Sequence, residues 1–109
     1  MSHQHNNQVI ISEDGAYITK CPNCEHFNLY FGMAHLTFSN KQLRQFLKTL
    51  MKVRAKDYYQ TQDGKMKVGI GVGSSNMQLC LLKTELNILA SIVQRTILVE
   101  TAHSIIKNN

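Results

Sequence analysis

An α+β fold, a two-layer sandwich in which two helices cover one face of an antiparallel sheet, is what three features of this sequence predict. Short runs such as FNLYF and AHLTF alternate apolar and polar residues with the period of half-buried strands. Residues 40–53 and 85–107 instead repeat apolar residues at helical spacing. The strand-then-helix order occurs twice: LTFSNKQLRQFL matches LCLLKTELNILA at an offset of 43 residues. The last feature suggests a duplicated hairpin-helix unit, with repeat-like halves at about 17–53 and 65–107.

The elements follow in chain order. QVIIS and AYITK, separated by Glu13-Asp14-Gly15, form a first hairpin, and the polar stretch ahead of them, taken as residues 1–8, reads as a flexible arm. Residues 9–109 then make a single domain. In the second hairpin Phe27, Leu29 and Phe31 face the same side as Ala34, Leu36 and Phe38 across a Gly32-Met33 turn. Ser39-Asn40-Lys41-Gln42 has the pattern of a capping box, so a helix starts there. Its apolar side is Leu43, Phe46, Leu47, Leu50 and Met51. RAKDYYQTQDG is a polar connector. The second copy runs from Met66, Val68, Ile70 and Val72 through the turn GSSN to Met77, Leu79 and Leu81, and its helix begins near Lys83–Glu85. The uncovered side of the sheet carries Asn28, Tyr30, His35, Thr37, Gln78 and Cys80.

The last helix has two apolar stripes. Leu86, Leu89, Ala90, Val93 and Ile97 form one and should meet the sheet, whereas Ile88, Ile92, Val99, Ala102 and Ile106 form another. At 1.5 Å per residue the helix spans roughly 35 Å, longer than the strands it must cover. A homodimer sealed by the second stripe is the favoured reading. The plainer alternatives are that this stripe packs on the first helix, or that the helix breaks near Leu98 and folds back.

Cys21 and Cys24 form the C-x-x-C of YITKCPNCEHFNLYFG. A redox pair of this spacing usually sits at a helix N-terminus, where the amide dipoles lower the thiol pKa; here strands flank it on both sides. Two thiolates from a tight turn suit tetrahedral Zn²⁺, with Pro22 fixing the turn. Only half of a zinc site is present, so His26, His35 or Cys80, the arm histidines His3 and His5, or a second subunit would have to complete it. A plain turn without metal is the competing reading.

Charge is unevenly placed. Of the net +5, residues 41–67 supply eight cations against Asp57 and Asp63. Lys41, Arg44, Lys48 and Lys52 share one side of the first helix, opposite its leucines, and Tyr58 and Tyr59 lie just beyond. That arrangement can follow phosphates and stack bases, although any amphipathic helix also shows charge to water. Gly69, Gly71 and Gly73 lie along a strand rather than between a strand and a helix, so they do not make a dinucleotide loop. No catalytic set is visible, and the chain is expected to be non-enzymatic. Three cysteines without a framework spacing, no signal-peptide pattern and no run of ~18 apolar residues point to the cytoplasm and away from a membrane.

Cys21-x-x-Cys24, Leu29-Tyr30-Phe31-Gly32, Leu36-Thr37-Phe38-Ser39 and the following helix together resemble a family of small uncharacterised bacterial proteins with a single C-x-x-C. The resemblance covers mainly residues 17–53. It implies that the knuckle is a shared feature and implies no activity. The reading is therefore an interaction module with zinc as its candidate cofactor. A nucleic-acid accessory protein using the basic helix face and a thiol redox sensor are the alternatives.

Overall fold

The computed structural model describes residues 8–20, 25–73 and 76–107. Strands β1 (Gln8–Glu13), β2 (Ala16–Lys20), β3 (His26–Phe31) and β4 (Ala34–Ser39) form an antiparallel meander in sequence order. Asp14 and Gly15, which join β1 to β2, both have positive φ, at 46° and 85°. A turn of that hand follows the natural twist of a hairpin. Between Val9 and Ile11 the register of β1 against β2 slips. The bulge lets Ile10 and Ile11, adjacent in sequence, both pack against the core.

β4 runs directly into α1 (Asn40–Met51). Ser39 caps it: its hydroxyl accepts from the Gln42 amide at 3.1 Å, and Gln42 Oε1 accepts from the Ser39 amide at 2.9 Å. Leu43, Phe46 and Leu50 are buried and Leu47 is half-buried, as the helical spacing requires. Met51 was expected on the same side but is 65% exposed. It lies about 100° round the helix from Leu50, beyond the arc that other elements cover.

The polar connector contains more structure than the sequence suggests. Ala55–Asp57 is a 3-10 turn, and Tyr59–Gln60 is a short strand, β5, paired with the start of β6 (Met66–Gly71). A tight turn makes the pairing possible: Thr61 donates its amide to the Lys65 carbonyl at 2.8 Å, and Gly64 takes a φ of 81°. β7 (Gln78–Leu82) completes a second antiparallel sheet, β5-β6-β7.

The strands thus divide between two sheets, of four and three strands, within the expected α+β class. Each sheet pairs only sequence neighbours, so its hydrogen bonds are local and the link between the two falls to helices. α2 (Lys83–Lys107) makes that link, because it packs on β1 and β2 of the first sheet, on β6 and β7 of the second, and on α1. Leu89, Ile92, Val93 and Thr96 are fully buried along it, and Leu86 nearly so.

For this helix one alternative falls away and one grouping changes. It is continuous from Lys83 to Lys107, with no break near Leu98. Ile92, grouped above with a dimer stripe, is 0% exposed within the chain's own core. With neighbours on several sides, the buried arc of α2 is wider than a single-sheet contact needs, and it takes in Ile92 and Thr96. Ile88 packs against the core edge, Val99 is half-buried, and Ala102 and Ile106 are exposed.

The strand-helix junctions of the two halves coincide at the repeat offset. β4 ends at Ser39 and β7 at Leu82, and each is followed at once by a helix. Glu85 Oε1 accepts from the Leu82 amide at 2.7 Å, repeating the bond that Gln42 makes to Ser39. Among the described residues no helix is long and apolar enough to cross a membrane.

Candidate functional site

The cationic side of α1 is positioned by its apolar side. Burying Leu43, Phe46 and Leu50 against β3, β4 and α2 forces Lys41, Arg44, Lys48 and Lys52 outward, and all four are exposed. Arg44 is tethered, donating to Asn40 Oδ1 at 2.9 Å and to Thr101 Oγ1 of α2 at 3.4 Å. Both ion pairs among the described residues lie elsewhere, Lys20 with Glu100 at 3.0 Å and Arg95 with Glu13 at 3.3 Å. Among the described residues none of the eight cations of 41–67 forms an ion pair, although Lys65 and Lys67 act on the Asp63 carboxylate. Nearby, Asp57 turns its carboxylate to the backbone, accepting from the Arg54 amide at 2.8 Å.

The uncovered side of the first sheet has a different character. Register places Tyr17, Tyr30 and His35 side by side on β2, β3 and β4. Their rings stack, with centroids 4.7 Å apart for the tyrosines and 4.3 Å for Tyr30 and His35. Asn28 Oδ1 accepts from His35 Nε2 at 3.0 Å and from the Thr37 hydroxyl at 3.1 Å. The rings face one another and the polar atoms satisfy one another, so this ladder stabilises the sheet. Thr19 beside it is 6% exposed, and its hydroxyl has no hydrogen-bond partner among the described residues. Sequence reasoning placed Tyr30 and His35 on this face but missed the ladder, which needs the β2-β3 register to bring in Tyr17.

The corresponding side of the second sheet holds Tyr59 and Cys80, with the phenol oxygen 3.5 Å from Sγ. The contact raises the Tyr59 pKa above its ordinary value of 10.0. Gln78 folds over Gly69: a Cβ built there would lie 2.5 Å from its amide oxygen. That oxygen is the far end of a flexible side chain, so a Cβ at 69 would need only Gln78 to swing aside.

Of the metal-ligand candidates, Cys21 and Cys24 lie outside the described residues, as do the arm histidines. His26 opens β3, His35 belongs to the first sheet's ladder, and Cys80 belongs to the second sheet. Among the described residues no group of three or more His, Cys, Asp or Glu side chains is placed to hold a metal ion.

The model of a family of unknown function (DUF6686) matches residues 1–108 of the chain. No curated protein and no solved structure matches it.

Proposed function

We propose that this chain, which belongs to that family of unknown function, is a non-enzymatic interaction module that binds nucleic acid through the basic face of α1. One observation carries the reading. Lys41, Lys48 and Lys52 stand exposed on one helix face with no acidic partner among the described residues, while the chain's resolved ion pairs use cations of other elements. Solvated lysines serve solubility anywhere on a surface, but four cations in line on a helix, with further ones following in the connector, match the spacing of a polyanion. The net charge of +5 favours the same class of partner.

Fluorescence anisotropy of a labelled oligonucleotide, titrated with the full chain over a range of salt concentrations, tests it. Neutralising Z phosphates on a single strand gives a log-log salt slope of about −0.7Z, so three or four contacts predict a slope of about −2 to −3. Replacing Lys41, Lys48 and Lys52 together by Gln should flatten that slope and leave the circular-dichroism spectrum unchanged. Binding that is absent at low salt, or that the triple variant retains in full, would refute the reading.

A further inference from the structure

Where the end of α1, the connector, the start of β6 and the first turns of α2 meet, they bound a pocket of about 480 Å³ that opens to solvent. That volume falls in the roughly 300–1,000 Å³ range of ligand sites. Leu50 and Leu86 are the buried part of its lining, and Val53, Tyr58 and Ala90 are half-buried around them. Met51 and Met66, both more than half exposed, complete it, so the surface presented to solvent is more apolar than polar. Met51 is the residue that helical spacing placed with the core and that the tertiary structure leaves outside it. Its unbranched thioether, like that of Met66, adapts to what fills the space beside it.

Among the described residues the charged side chains that line this pocket are both cations, Arg54 from the connector and Lys83 from the first turn of α2. Neither forms an ion pair among the described residues. The carboxylates closest to them along the chain are engaged with backbone amides. Asp57 accepts from the Arg54 amide at 2.8 Å and Glu85 from the Leu82 amide at 2.7 Å, and neither lines the pocket. Asn87, which is exposed, adds a side-chain amide able to donate.

We infer that this pocket binds a small amphiphilic anion, an unbranched alkyl chain ending in a carboxylate, with the chain against the apolar lining and the carboxylate at Arg54 and Lys83. The inference goes beyond the nucleic-acid reading of α1 and does not depend on it. Lys41, Lys48 and Lys52 do not line the pocket, and a nucleic acid has no alkyl chain to bury there. A neutral apolar ligand would leave both cations unused, and an inorganic anion would leave the methionines in water. One molecule that carries both features uses the whole lining. A protein partner would need about 800 Å² of surface on this chain, whereas the pocket has the size of a single small ligand.

The test titrates the full chain, labelled with carbon-13 at its methionine methyls, with decanoate below its micelle concentration, with butyrate and with 1-decanol. Decanoate should shift the Met51 and Met66 resonances saturably and leave in place those of Met33 and Met77, which do not line the pocket. Burying even two of the six methylenes by which decanoate exceeds butyrate predicts binding at least about tenfold tighter than that of butyrate. Charge-assisted hydrogen bonds to the head predict that 1-decanol binds at least about tenfold more weakly than decanoate. Arg54→Gln combined with Lys83→Gln should remove that difference. Met51→Gln combined with Met66→Gln, at two exposed positions, should weaken both long-chain ligands when binding is followed by calorimetry. Equal affinity for decanoate and butyrate, or for decanoate and 1-decanol, overturns the proposal. Shifts spread evenly over the methionines, or decanoate binding unchanged in both double variants, also overturn it. Phosphatidylglycerol vesicles separate a free chain from a membrane surface, and binding to vesicles without binding to decanoate counts against the pocket in the same way.

Discussion

Thr19 is a polar side chain held at 6% exposure, with its hydroxyl unpaired among the described residues. A buried hydroxyl without a partner costs about 1–3 kcal/mol, and valine has nearly the same shape without that cost. Thr19→Val should therefore stabilise the fold by about 1 kcal/mol or more in urea denaturation; a loss of stability would mean that the hydroxyl is bonded in solution. Tyr59 gives a second test at this scale. Its contact with Cys80 favours the neutral phenol and raises the folded pKa, so the stabilisation is complete below the ordinary value of 10.0 and is lost as pH rises through the higher folded value. Phenolate absorbance, taken as the difference between the parent chain and Tyr59→Phe, should show Tyr59 titrating late. Cys80→Ala should return it to the ordinary range.

At the scale of elements, the two strand-to-helix junctions do the same job with different chemistry. Ser39 and Gln42 satisfy each other's backbone amides reciprocally, whereas Leu82 offers no side-chain acceptor and Glu85 supplies only the return bond. Ser39→Ala should cost about 0.5–2 kcal/mol by loss of the cap. Glu85→Ala should cost less than that, since a carboxylate in the first turn is worth about 0.3–1 kcal/mol at a surface. Chemical denaturation of both variants checks the order, and a larger effect at Glu85 would show that α2 depends on its start more than α1 does. The serine cap was legible because Ser-x-x-Gln ahead of an apolar run is a local signal. β5 was not, because a two-residue strand has no periodicity and exists only through its pairing with β6.

For the whole molecule, the consequential fact is that α2 touches both sheets and α1. Leu89 lies at 0% exposure on it. Leu89→Ala should cost about 2–5 kcal/mol, and the two sheets should still unfold in one transition when followed by probes in each. Separate transitions would show that the sheets are independent bodies. The same bridging role explains why Ile92 and Thr96 are interior. Thr96 satisfies its hydroxyl on the Ile92 carbonyl at 2.8 Å, which lets a polar residue occupy a fully buried helical position. Helical spacing alone put Ile92 with Ile88, Val99 and Ile106 on a separate stripe, since a sequence shows which residues share a side of a helix and not how many neighbours surround it.

Local chemistry was enough to determine the hairpins, the capped start of α1, the outward row of lysines and the junctions 43 residues apart, because each depends on residues a few positions from one another. Tertiary structure alone decided that the strands form two sheets, that α2 is one continuous helix joining them, and that a pocket opens between the end of α1 and the start of α2. Those outcomes depend on side chains far apart in the chain meeting at a particular distance, and periodicity along one segment carries no information about that distance.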